Sequence, residues 1–183
     1  NGTPDIELAV VGLLVRQQVD AGQAIAAQNT LDALRKRFDA TGDRRFFPNL
    51  DAMDCRIALH QGDLERASDW YRDKAPKDPV HLQVMRRYQY FTQAMCELAM
   101  GNPGAALLTL SPLDSYCTTC NRHIDSIHLY TLSAIARYRQ KNSAWKKLLT
   151  QALEIAMEYR FIRPIGLYGT AVLPLLEECS WFK

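Results

Sequence analysis

The sequence has no long hydrophobic run, no excess of charge of one sign and few cysteines. Its longest apolar stretch, Leu8 to Val15, includes Gly12 and stops at Arg16-Gln17-Gln18, well short of the ~20 residues that cross a bilayer. No basic segment precedes it, so it does not read as a signal peptide. Lys plus Arg number 22 against 20 Asp plus Glu, a net charge of +2. Nucleic-acid binding by this chain wants a clustered basic face, and adhesion to an anionic membrane wants the same, so neither has support in that balance. The five cysteines, an odd number at irregular spacing, make a poor disulfide framework. Cys55 and Cys96 stand among apolar residues as small hydrophobes, and a reducing, cytoplasmic setting is expected. There is no Gly-x-x-x-x-Gly-Lys-Ser/Thr phosphate loop, no His-Glu-x-x-His, no Gly-x-Ser-x-Gly elbow and no convincing period-two alternation. The opening Asn1-Gly2-Thr3 has no initiator methionine, and the chain is read as a piece of something longer.

What is present is helical. Apolar residues make up 48% of the chain, enough for a sizeable core, and they recur in steps of three and four. Ile6, Val10, Leu13 and Leu14 share a face, as do Ala27, Leu31, Leu34 and Phe38. Phe46, Leu50, Met53 and Ile57 follow, then Leu64, Ala67, Trp70 and Tyr71, then Val84, Tyr88, Phe91, Met95 and Leu98. Ile124, Ile127, Thr131, Ala134 and Tyr138, and finally Leu148, Leu149, Ala152, Ile155 and Tyr159, complete the set. Glycines stop these helices, because glycine takes the left-handed conformation without a Cβ clash. Asp43, Asp63, Asn102 and Asn142 are candidate caps of the helices that follow, and Asp78-Pro79 and Asn102-Pro103 place proline where its missing N–H is harmless.

The stops repeat. Gly22, Gly62, Gly101 and Lys141 are 40, 39 and 40 residues apart. The residue three before each is Val19, Leu59, Leu98 and Tyr138; the residue five after is Ala27, Ala67, Ala106 and Lys146. An apolar end, a tight turn and a small residue describe a helical hairpin whose second helix packs close. The expectation is an all-α, TPR-like α-solenoid of about four antiparallel hairpins in a single domain over 1–183. The hairpins span about 4–41, 44–75, 80–113 and 121–159, with a capping helix over about 169–179 after the break at Arg163-Pro164-Ile165-Gly166.

These residues resemble a known family. Tyr90-Phe91-Thr92-Gln93-Ala94-Met95-Cys96-Glu97-Leu98-Ala99-Met100-Gly101, followed by Ala105-Ala106-Leu107-Leu108, is similar to a repeat of the MalT-like, LuxR-type bacterial transcription regulators. Leu59-His60-Gln61-Gly62-Asp63-Leu64-Glu65-Arg66-Ala67 with Trp70 resembles the repeat before it, and Ala152-Leu153-Glu154-Ile155-Ala156 with Phe161-Ile162-Arg163-Pro164 resembles the family's ending. The resemblance covers roughly 45–178. It implies a parent in which an ATP-binding signalling module precedes such a region and a helix-turn-helix DNA-binding domain follows it. The region itself would then be the arm on which a small inducer or a protein partner acts.

Chemistry is sparse. Cys117-Thr118-Thr119-Cys120-Asn121-Arg122-His123, with His128 beyond, comes nearest to a zinc site or a redox dithiol. It has no second Cys-x-x-Cys, and five residues of helix turn His128 about 140° away from His123. His60 and His81 join no pattern, and the pairs Asp51/Asp54 and Glu154/Glu158 read as solvated faces. A nucleophile, base and orienting group cannot be assembled, so the chain is read as non-catalytic, with no cofactor and no metal. A binding surface fits better. In stacked hairpins the first helices line the concave face, and opposite their core stripes stand Arg45, Asn49 and Arg56, then Arg86, Tyr90, Gln93 and Glu97, then Arg122, Ser126, Tyr130 and Arg137. Arginine and tyrosine combine apolar area with directed hydrogen bonds. A small-molecule inducer or a peptide or protein partner is expected there. The other readings are a free-standing helical-repeat adaptor and a zinc or redox module on Cys117 and Cys120. Trp70, Trp145 and Trp181 read as packing residues, and the apolar ends of such a piece could pair it into a homo-oligomer.

Overall fold

The structure, a computed structural model, describes residues 3–77, 82–161 and 163–179. Asp78, Pro79, His81, Ile162 and Trp181 lie outside the described residues. Among the described residues the fold is all-α, with no strand. The helices are α1 Pro4–Asp20, α2 Ala24–Thr41, α3 Phe47–Gln61, α4 Leu64–Asp73, α5 Arg87–Ala99, α6 Pro103–Thr119, α7 His123–Arg139, α8 Trp145–Glu158, α9 Arg163–Gly166 and α10 Leu173–Glu178. Short 3-10 turns cover Arg44–Phe46, Val84–Arg86 and Gly169–Ala171. Packing divides the chain into two compact units, Asn1–Pro76 and Lys77–Lys183, rather than the expected one. The first holds the hairpins α1/α2 and α3/α4. The second holds α5/α6 and α7/α8, then α9 and α10.

The hairpin turns have a common backbone cause. Gly22, Gly62 and Gly101 sit at φ 74°, 75° and 78°, and Lys141 takes the same left-handed conformation at φ 56°. At each, the next residue's N–H reaches back five residues: Gln23 to Gln18, Asp63 to Ala58, Asn102 to Glu97 and Asn142 to Arg137, at 2.8–3.0 Å. These bonds satisfy carbonyls left over at the helix end. A second series runs between hairpins. Gly42, Asn121 and Arg160 are left-handed too, and Asp43, Arg122 and Phe161 donate back to Phe38, Cys117 and Ala156. Both series keep the period, so a lysine, an asparagine and an arginine do work that sequence reading assigns to glycine. Of the expected caps, Asp63 accepts from Arg66 N–H at 3.1 Å, and Asn142 accepts from Ala144 N–H at 3.0 Å. The side chains of Asp43 and Asn102 make no cap bond. Asp43 instead accepts from the Thr41 hydroxyl.

In the first unit Val15, Ala27, Leu31, Leu34, Phe38, Phe46, Leu50 and Ile57 form the core. The second unit has a larger core, running from Tyr90 through α6, α7 and α8 to Leu175 and Cys179. Several expected core residues are outside. Ile6, Val10, Leu13 and Leu14 are exposed on α1, which faces the core instead through Leu8, Val11, Val15 and Val19. Leu64, Val84 and Ile124, each within two residues of a helix start, are exposed as well. Gly12 lets α1 approach α3 closely: a Cβ there would lie 2.8 Å from the Met53 methyl.

Two boundaries differ from expectation. The third hairpin does not stop near residue 113; α6 runs through Pro112 to Thr119. Proline removes one hydrogen bond, and the turns beyond it bury Leu113 and Cys117, which offsets that loss. The segment Arg163–Gly166, expected to be a break, is a helical turn, and the expected helix over 169–179 is a 3-10 turn followed by the shorter α10. Gly169 at φ 45° separates them, and Pro174 opens α10.

Candidate functional site

The expected recognition residues fall into three groups. Arg45, Arg86 and Arg122 are exposed. Arg45 stands in the 3-10 turn before α3, 3.2 Å from Asp5 on α1, with its guanidinium 4.5 Å from the Phe46 ring centre. Arg86 ends the 3-10 turn before α5. Arg122 precedes α7 and meets Asp125 at 3.0 Å, while Arg87 of α5 approaches the same carboxylate oxygen at 3.4 Å. One carboxylate thus joins two arginines at the start of two first helices, and Asp125 holds the Arg122 guanidinium in its charged form.

Asn49, Arg56, Gln93 and Tyr130, together with Arg137, are half-buried. The Gln93 amide donates to Glu97 at 3.2 Å and to the Thr109 hydroxyl at 3.3 Å. Tyr130 turns towards α6. Burial first, then the nearby Asp114, raise its phenol, against a hydrogen bond with Thr118.

Tyr90, Glu97 and Ser126 are the correction. Their exposures are 4%, 2% and 7%, so they are enclosed rather than displayed on an open face. The reason is packing on several sides: α5 meets α6 and α7, and α7 meets α5, α6, α8 and α9. A polar residue opposite the core stripe of a lone hairpin is therefore covered when the next hairpin stacks. Each acquires partners in keeping with the rule that buried polar groups are hydrogen-bonded. The Tyr90 hydroxyl accepts from the Gln83 N–H at 3.4 Å, Glu97 accepts from Thr109 at 3.0 Å, and Ser126 hydrogen-bonds the Cys117 thiol.

The Cys-x-x-Cys segment does not form a cluster. Cys117 lies in the core of the second unit, Cys120 is exposed, and His123 stacks on Tyr159 with ring centres 4.1 Å apart. Burial, helped by Asp125, pushes the Cys117 thiol up to about 11, the opposite of the thiolate that zinc or redox chemistry requires. Among the described residues no three His, Cys, Asp or Glu side chains are grouped to hold a metal ion. His128 is used otherwise: its Nδ1 lies 2.8 Å from the Tyr168 hydroxyl, and its ring packs against Phe91.

Sequence reading missed two networks. Asp51 and Asp54, expected on a solvated face, are half-buried in α3. Asp51 pairs with Arg35 of α2 at 2.6 Å and with Lys74 at 3.2 Å. Asp54 accepts from Gln28 of α2 at 2.8 Å and from Arg66 of α4, and Arg66 also donates to Gln28. The second network ties residues one repeat apart. Asp5 pairs with Arg45, His128 with Tyr168, and Tyr138 with Glu178 at 2.7 Å, each 40 residues along. By that register the segment from Arg163 occupies the place of a further first helix, interrupted at Gly169. The period itself was the signal that could have found these pairs.

No helix among the described residues is long and apolar enough to cross a membrane. The expected recognition residues thus comprise exposed arginines and half-buried polar side chains in each of the two units taken by itself, and the enclosed Tyr90, Glu97 and Ser126 in the second. No curated protein and no solved structure is significantly similar to the chain. Residues 1–180 match the family described as the MalT-like TPR region. With its all-α hairpins on a 40-residue register, the chain belongs to the MalT-like TPR region family.

Proposed function

We propose that this chain is the ligand- or partner-binding arm of a LuxR/MalT-type transcriptional regulator, acting by recognition and not by catalysis. The observation that carries the reading is the family membership over residues 1–180. The arginines at the starts of the first helices support it. Arg86 and Arg122 are exposed, and Arg122 and Arg87 are held in position by Asp125. Guanidinium groups fixed by a carboxylate present donors in a set direction, which favours an acceptor-rich ligand such as an oligosaccharide, a phosphorylated metabolite or an acidic peptide.

The test is a thermal-shift screen of the purified chain with oligosaccharides, small phosphorylated metabolites and acidic peptides. A ligand at about 100 times its Kd stabilises by about 2.7 kcal/mol, and its shift should shrink in Arg86→Ala and Arg122→Ala. A ligand whose shift survives both substitutions removes these arginines from the site. The regulatory half of the reading is checked in the encoding gene. A helix-turn-helix encoded after Lys183 is the expected result, and a stop codon there replaces the regulator with a free-standing adaptor.

A further inference from the structure

The exposed apolar face of α1 is not a random surface. Aligned on the hairpin turns Gly22, Gly62 and Lys141, Ile6, Val10 and Leu14 of α1 correspond to Phe46, Leu50 and Asp54 at α3, and to Asp125, Leu129 and Ser133 of α7. The α3 counterparts at either end face the second helix of the hairpin before. Phe46 stacks with Phe38 of α2 at 5.2 Å, and Asp54 bonds Gln28 of α2. The neighbouring positions agree. Arg35 of α2 reaches Asp51 and lies over the Phe47 ring, while Ser126 and Tyr130 of α7 meet Cys117 and Thr118 of α6. Exposure at the central position is 0% for Leu50 and 3% for Leu129, but 59% for Val10. Leu13 corresponds to Met53, which lies against Gly12 of the preceding first helix, and to the buried Leu132. Leu13 is exposed too.

We infer that the Ile6–Val10–Leu13–Leu14 face of α1 is a docking surface for another helical hairpin of this repeat type, whose second helix lies along α1 as α2 lies along α3. The chemistry of the partner follows from α2 and α6. It is an amphipathic helix whose packing stripe is small near its start and larger further on, like Ala27, Leu31, Leu34 and Phe38. Four apolar side chains, at positions that α3 and α7 turn towards the hairpin before, are here in water, where each forgoes the gain of burial. A repeat needs its neighbour to close its core.

The chain supplies its own probe. Residues 4–43 duplicated directly ahead of residue 4 keep the 40-residue period and place a copy of α2 before the original α1. Leu14→Cys in the original α1 reports its cover by maleimide labelling, with the exposed Cys120 as internal reference. The expected result is labelling at Leu14→Cys at least tenfold slower in the tandem chain than in the single chain, with Cys120 unchanged. Val10→Asp in the original α1 should leave the melting temperature of the single chain within a few degrees and lower that of the tandem chain by more. Equal labelling in both chains, or a tandem chain that melts without cooperativity, overturns the inference. A single chain that already protects Leu14→Cys in a concentration-dependent way, with a doubled mass, overturns it as well. The occupant would then be a second copy's α1.

Discussion

The non-glycine turns show how a single residue holds the register. Lys141 stands where the other three hairpins have glycine and takes φ 56°. A residue with a Cβ is strained in that region by about 1 kcal/mol or more, and glycine is not. Lys141→Gly should therefore stabilise the second unit by up to about 1 kcal/mol, partly offset by the freer unfolded chain. Gly62→Ala at φ 75° should cost about 1 kcal/mol. Urea midpoints of both variants check the pair, and a Lys141→Gly protein less stable than the parent refutes the argument. Cys117 supplies a pH prediction. Its folded thiol is held up to about 11, while an unfolded thiol ionises near about 8.5. Between those values the unfolded chain loses a proton that the folded chain keeps, so stability falls as pH rises through that window and is fully present below it. Cys117→Ser should flatten this slope, measured as melting temperature against pH. A slope unchanged by the substitution would assign it to other groups.

At the scale of the element, α3 shows what periodicity gives and withholds. Its apolar stripe, Phe46 just before it and Leu50, Met53 and Ile57 within it, is legible in steps of three and four; Phe46, Leu50 and Ile57 are buried and Met53 is half-buried. Its acidic face reads as solvated in the sequence because spacing along one helix says nothing of the basic residues brought to it by others. Arg35 and Gln28 come from α2 and Arg66 from α4. Asp54→Ala removes the acceptor for both Gln28 and Arg66. With about a third of each side chain in water, the expected cost is about 1 kcal/mol after screening. Arg66→Ala combined with Asp54→Ala should cost less than the sum of the two, since the residues share one network. Additive losses in that cycle would show that the pair is not coupled. The α6 boundary has the same origin. Pro112 reads locally as a stop, but burial of Leu113 and Cys117 outweighs one lost hydrogen bond. Pro112→Ala should restore that bond and leave the fold intact, visible as added amide protection at residue 112.

For the whole molecule, the 40-residue register and the all-α class are legible in the sequence, because backbone conformation and helical periodicity are local properties. The family resemblance rested on the same local pattern. The division into Asn1–Pro76 and Lys77–Lys183 was not legible, since it depends on which cores close on themselves. The second unit has a closed core from Tyr90 to Cys179. Residues 77–183 alone are therefore expected to melt as one cooperative transition by circular dichroism, and a gradual loss of helix would count against a self-sufficient core. The candidate site divides along the same line. The hairpin turns at Gly22, Gly62, Gly101 and Lys141, the hairpin order and which helix comes first in each pair are written in the sequence, because each follows from neighbours along the chain. That Tyr90, Glu97 and Ser126 are enclosed while Arg45, Arg86 and Arg122 are exposed, and that α1 leaves Val10 and Leu14 in water, comes from packing between helices. Burial is a property of what stacks on a face, and a helix does not carry its neighbour in its own sequence.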